Sequence, residues 1–217
     1  MAKTEIFNCD CLEYMRSLPD KAFSLAICDP PYRDENDPFQ QMRATSSNKE
    51  VFTEGRPSEE FFEQLKRISE NQIIFGANNF GYEFKGFIAW DKLVRGSDRY
   101  SQVEIASLSE GLSTVSTLVQ ISVYQKEEKF HPTTKPVELY GWLLKRFAKE
   151  GDKIFDPMCG SGSSRIAAYK LGFDFVGCEI DKDYYEKSIA RFNKECHGEY
   201  VTKHGNRVKE LSLFDDI

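Results

Sequence analysis

Lys153-Ile154-Phe155-Asp156-Pro157-Met158-Cys159-Gly160-Ser161-Gly162 is the stretch on which the fold turns. Its first three residues form a short apolar strand that runs into a glycine turn. Ser163 to Leu171 then has helical spacing, and Gly172 closes it. Gly160 and Gly162 allow a tight turn and let a ligand come close to the backbone. The next strand, Phe173 to Cys178, ends at Glu179, where an acid is well placed to accept hydrogen bonds from ribose hydroxyls. Glycine turn and strand-end acid together imply a nucleoside-containing cofactor. A third glycine is missing and Asp156-Pro157 precedes the turn, which counts against a pyrophosphate-binding dinucleotide site. These residues alone leave a dinucleotide and S-adenosylmethionine both open.

The pattern repeats outward from that stretch. Ile6-Phe7, Phe23 to Cys28, Asn71 to Phe75, Gly86 to Trp90, Val103 to Leu108 and Leu118 to Tyr124 read as strands. Helical spacing runs from Cys11 to Leu18, from Ser58 through Ile68, from Val137 to Ala148 and from Asp183 to Cys196. Alternating helices and near-continuous apolar strands predict an α/β fold, with a mainly parallel sheet covered on both faces. Ligands of such sheets bind beyond the carboxyl ends of the strands, so the strand ends carry the information. They read Asn8-Cys9-Asp10, Asp29-Pro30-Pro31-Tyr32, Asp156 to Gly162, and Gly177-Cys178-Glu179.

Asp29-Pro30-Pro31-Tyr32 decides the chemistry. Two prolines stiffen the backbone and remove two N–H donors, which leaves carbonyl oxygens on display. A carboxylate only accepts, so beside such carbonyls it can hold an exocyclic –NH2 by both hydrogens. Tyr32 offers a face on which a base can stack.

The remaining composition sets bounds. The chain has 217 residues and a net charge of −6, consistent with one domain over 1–217 and giving no overall basic surface for nucleic acid. Lys85, Lys92, Arg95 and Arg99 form one local basic cluster, and Lys203, His204, Arg207 and Lys209 a second; either could touch a DNA backbone. Six cysteines, among them the Cys9-x-Cys11 pair, lack the spacing of a four-ligand zinc site and read as reduced structural thiols, so no metal is expected. No apolar run is long enough to span a membrane and no export segment is visible, which predicts a cytoplasmic protein. Residues 33–57 are polar and read as a long mobile loop near the target-base site, and 203–217 as a C-terminal tail.

In combination these motifs resemble the DNA amino-methyltransferases in their permuted β-class arrangement, with Asp-Pro-Pro-Tyr first and the cofactor loop near the C-terminus. The likeness covers roughly residues 4 to 195. It implies a Rossmann-like class I methyltransferase fold and S-adenosyl-L-methionine as cofactor. It also implies DNA with a flipped target base as partner. By the same resemblance Asp29, Pro30, Pro31 and Tyr32 are the catalytic segment, Asp29 is also a cofactor-binding residue, and Asp10 and Cys11 lie where the cofactor's adenine binds. His131 to Pro136, with Thr133 and Lys135, matches the motif that helps hold the methionine end. Asp156, Pro157, Met158, Cys159, Gly160, Gly162 and Ser163 lie under the cofactor, Glu179 binds its ribose, and Ile180 adjoins it. Met158 stands where the family usually has Phe, and Ser163-Ser164 replace a common Thr-Thr. Asp at position 29 is the family's habit for adenine, whereas N4-cytosine enzymes often open the motif with Ser. Only 33–57 and 91–101 could read a target sequence, so a short or relaxed site is expected, and a homodimer would help grip DNA. The competing readings are N4-cytosine methylation and a non-catalytic nucleotide- or DNA-binding module of the same fold. A nicotinamide oxidoreductase is a third, disfavoured by the glycine pattern. The chain contains no Pro-Cys dipeptide of the kind used for carbon-5 cytosine methylation.

Overall fold

A computed structural model describes residues 2–31, 56–80, 85–94, 101–124, 130, 134–201 and 207–209. Of the expected loop 33–57 only Arg56 and Pro57 fall among them; Tyr32, His131 and Thr133 lie outside the described residues. The strands are β1 (Thr4–Phe7), β2 (Phe23–Cys28), β3 (Ser69–Phe75), β4 (Gly86–Asp91), β5 (Val103–Leu108), β6 (Thr117–Gln120), β7 (Lys153–Asp156) and β8 (Asp174–Cys178). Five helices are described: α1 (Cys11–Arg16), α2 (Glu59–Ile68), α3 (Val137–Phe147), α4 (Ser163–Lys170) and α5 (Lys182–His197).

The eight strands form one sheet in the order β1-β8-β7-β2-β3-β5-β4-β6. All neighbours pair in parallel except β5, which runs antiparallel to both β3 and β4. The expectation of a mainly parallel sheet therefore holds, with one reversed strand that the sequence pattern did not distinguish. From β2 the chain crosses to β3 on one side; from β7 it crosses to β8 on the other. The strand order thus reverses between β7 and β2, and this is the switch point where such folds bind ligands.

Side chains alternate between two cores. Leu25, Ile27, Ile73, Phe75, Ile154 and Phe175 pack with α3 and α4 on one face. Ala26, Cys28, Ile74, Phe155, Val176 and Cys178 pack with α1 and α2 on the other. Helix α2 shows why these segments are helical. Ser58 caps it by accepting from the Phe61 N–H (3.3 Å), and acids occupy its first turn and bases its last. Phe61, Leu65 and Ile68 form its buried stripe. A further pair, β9 (Glu199–Val201) with β10 (Arg207–Lys209), is antiparallel and places part of the expected tail in a strand. No described helix is long and apolar enough to cross a membrane.

Gly177 is required where the glycine turn folds back over β8. A Cβ there would stand 2.1 Å from Cys159 Sγ, 2.9 Å from the Phe175 ring and 3.2 Å from the Asp156 carbonyl. Gly177→Ala is expected to cost about 1–3 kcal/mol through overpacking, seen as a lower urea midpoint. An unchanged midpoint would show that the turn relaxes freely.

Candidate active site

The carboxyl ends of β1, β8, β7 and β2 lie side by side. Register pairs Phe7 with Cys178, Gly177 with Asp156, and Ala26 with Phe155, so the motifs after these strands share one edge. The turn after β7 is built by backbone bonds: the Cys159 N–H donates to the Cys178 carbonyl (2.9 Å) and the Gly162 N–H to that of Cys159 (2.9 Å). Gly160 (φ 51°) and Gly162 (φ 77°) hold left-handed conformations that a side chain would strain. Arg191 of α5 reaches beneath this turn. Its Nη1 donates to the Ser161 carbonyl (3.2 Å) and to Ser163 Oγ (2.9 Å), and its Nε to Glu195 (2.7 Å). Sequence reading missed Arg191, because nothing local distinguishes it from other bases of an amphipathic helix.

Glu179 is buried at the end of β8. Its Oε2 accepts from the Gly160 N–H (2.7 Å) and its Oε1 from the Asp181 N–H (3.0 Å). Asn8 ties the strand ends together by donating to the carbonyls of Glu179 (2.8 Å) and Ile180 (3.0 Å). Ile180 is about half exposed, an apolar side chain left open beside the acid. Asp10, expected at the cofactor's adenine, caps α1 by accepting from the Glu13 N–H (2.9 Å). Cys11 is the first residue of that helix.

Asp156 is almost fully enclosed. It accepts from Ser164 Oγ (2.5 Å) and from the Met158 N–H (3.0 Å). Burial raises its carboxyl to about 7; those two hydrogen bonds oppose the rise, and the charges of Asp29 and Glu179 add to it.

Asp29 follows β2 directly, on the strand next to β7. Its Oδ2 is paired with the buried ammonium of Lys135, whose Nζ also lies 3.2 Å from Glu104 Oε2 and 4.6 Å from the centre of the Phe75 ring. Glu104, on β5, pairs in turn with Lys92 beyond β4. Asp29 Oδ1 is buried and accepts no hydrogen bond from the described residues. Burial raises the Asp29 carboxyl, with Lys135 opposing and Glu104 adding to the rise. Burial pushes Glu104 upward too, but Lys135 and Lys92 outweigh it and hold that carboxyl below its usual range.

Lys135, expected toward the methionine end of a cofactor, is thus joined to the expected catalytic acid. Lys92, read as part of a basic cluster that is either a DNA-backbone contact or an ordinary solvated surface, faces Glu104, and Lys85 pairs with Glu110. Glu104 was missed altogether. The one signal it gives is an acid inside the apolar strand Val103-Glu104-Ile105-Ala106.

Residues 89–191 match the family model described as DNA methylase. The solved PvuII DNA methyltransferase (cytosine-N4-specific) superposes with a TM-score of 0.64 at 14% identity, covering 88% of this chain and 87% of that one. M1.HpyAVI, solved in complex with SAM, superposes at 0.59 with 19% identity over 88% and 99% of the two chains. This is a methyltransferase fold. Within it, type II methyltransferase M2.DpnII of Streptococcus pneumoniae is 40% identical over 81 residues, 36% of this chain and 30% of that protein. M.HpaI of Haemophilus parainfluenzae is 33% identical over 86 residues, 40% of this chain and 27% of that protein. The matched segment spans less than a third of either relative. The switch-point edge of this methyltransferase fold carries the glycine turn, Glu179 and Asp29.

Proposed function

We propose that the chain transfers a methyl group from S-adenosylmethionine to the exocyclic amine of a DNA base, with N6 of adenine as the target. The observation that carries this reading is Asp29 Oδ1, a buried acceptor with no hydrogen bond from the described residues, one strand away from the glycine turn. A buried acceptor left empty costs about 1–3 kcal/mol, which a ligand N–H removes. An exocyclic amine brings two such donors.

The cofactor fits the residues present. Two buried carboxyls, Asp29 and Asp156, are raised by enclosure, and a bound cation relieves that cost. The turn from Asp156 through Pro157, Met158, Cys159 and Gly160 to Gly162 and Ser163 would hold the cofactor. Glu179 and Ile180 would take its nucleoside with Asp10 and Cys11, and Thr133 and Lys135 its methionine end. Bound there, S-adenosylmethionine supplies a methyl group already made electrophilic by its sulfonium. The chain's part is positioning. Asp29 Oδ1 takes one N–H of the amine and the Pro30 carbonyl the other, with Pro31 stiffening the segment. The nitrogen lone pair is thereby drawn out of the ring and aimed at the methyl carbon. Asp29, already bonded to the amine, would take the proton that the nitrogen releases on gaining the methyl group, with S-adenosylhomocysteine as the leaving group. Tyr32 stacks on the base, offsetting part of the few kcal/mol spent in taking it out of the duplex. The N4 amine of cytosine carries the same two donors; adenine is preferred because position 29 is Asp rather than Ser.

Proton linkage gives a test. A cation entering beside two carboxyls of raised pKa displaces protons, so affinity for S-adenosylmethionine should rise between pH 6 and 8. The rise should be at most about tenfold per pH unit for each proton displaced and steepest below the Asp156 value of about 7. Calorimetry on the parent and on Asp156→Asn checks this, with a flatter dependence expected in the variant. Absence of binding, or an equal slope in both proteins, contradicts it.

A further inference from the structure

Four side chains from separate parts of the sequence form a line of alternating charge: Lys92, Glu104, Lys135 and Asp29. Lys135 and Glu104 are well enclosed, and Lys135 is shared between two carboxylates. We propose that Glu104 is a positioning residue for Asp29, acting through Lys135. By sharing the ammonium, Glu104 keeps Lys135 on Oδ2 and leaves Oδ1 open as the acceptor for the substrate amine. This rests on the reading of Asp29 as the amine-binding acid.

One cation here is divided between two anions. An ammonium with three donors, committed to a single carboxylate, would quench its charge and compete for both oxygens. Glu104 draws part of that charge away, and Lys92 on its far side balances Glu104. The charge of Asp29 in turn raises the groups packed around it: Asp156 on β7, the Tyr140 hydroxyl on α3 and the Cys28 thiol on β2. Among the cations acting on Asp29, Lys135 ranks first and Lys92 second, and Glu104 is the acid that raises it.

Removing either neighbour moves Asp29 in opposite directions. In Glu104→Gln, Lys135 commits to Asp29, the carboxyl falls, and the acid limb of the kcat/KM profile moves to lower pH. At neutral pH kcat should drop about tenfold, because the acceptor is weaker and Oδ1 is contested. In Lys135→Met, burial is unopposed, the carboxyl rises, and the limb moves to higher pH. Glu104→Asp keeps the charge and should restore both limb and rate to near the parent. A purely structural ion cluster would lower the amount of folded protein and leave the limb where it is.

The experiment measures methyl transfer to DNA against pH for the full chain and these three variants. It also follows the Asp29 carboxyl by 13C NMR, assigned by its loss in Asp29→Asn. Opposite shifts for Glu104→Gln and Lys135→Met, with rescue by Glu104→Asp, support the proposal. If Lys135→Met fails to fold, the Glu104 pair decides alone. An unmoved limb and an unmoved Asp29 signal in Glu104→Gln overturn it. Should the parent transfer no methyl group while the Asp29 signal shifts as stated, the coupling stands and the proposed function falls.

Discussion

Asp29→Ala should reduce methyl transfer about 10²–10³-fold, with a much smaller loss, at most about tenfold, in affinity for S-adenosylmethionine. The separation follows from where the side chain sits. Asp29 Oδ1 is the buried acceptor proposed for the amine, whereas the glycine turn and Glu179 are built by Gly160, Gly162, Arg191 and Asn8 without its help. Folding should survive, because Lys135 keeps Glu104 as a partner and no buried cation is stranded. Single-turnover kinetics with labelled cofactor, beside a binding isotherm, measure both quantities. Equal loss of binding and transfer would leave Asp29 a role in cofactor binding alone. Unchanged transfer would remove it from the chemistry.

The second large effect is on stability. An ordinary Asp carboxyl titrates near 3.9 in an unfolded chain, and burial raises Asp156 to about 7 in the folded one. The folded state therefore holds a proton that the unfolded state has lost. The corresponding stability is full below about pH 4 and is lost as pH rises toward and through about 7, amounting to roughly 4 kcal/mol at most. Asp29, raised for the same reason, acts in the same direction. In Asp156→Asn the amide has no proton to lose, and it can still accept from the Met158 N–H. Urea unfolding at pH 5 and pH 8 should show the variant gaining on the parent at the higher pH. A difference between the two proteins that does not change with pH would contradict the assignment.

These effects show which parts of the molecule could be read in advance. The glycine turn, Glu179 and Asp29 were legible because chemistry-bearing residues interrupt apolar strands at their ends, a local signal. Helix α2 was legible for a similar reason, since cap, charge gradient and stripe all lie within a few residues. Lys135 was placed by resemblance at one end of the cofactor; its pairing with Asp29 and Glu104 was not legible, because both are far from it in sequence. Lys92 looked like surface charge and is turned inward by a neighbouring strand. The reversed direction of β5 is equally invisible, since Val103 to Leu108 has the composition of any half-buried strand. Asp10 has a structural role that its sequence context also signals. An acid directly before a helix is a capping signal, and it serves as one here.

Nucleoside analysis by mass spectrometry tests the central claim most directly. Unmethylated DNA is incubated with the full chain and S-adenosylmethionine carrying an isotopically labelled methyl group, then digested. The account predicts labelled N6-methyldeoxyadenosine. Labelled N4-methyldeoxycytidine would keep the reaction and overturn the choice of base. Cofactor bound by the chain with no label in any nucleoside would contradict the account itself.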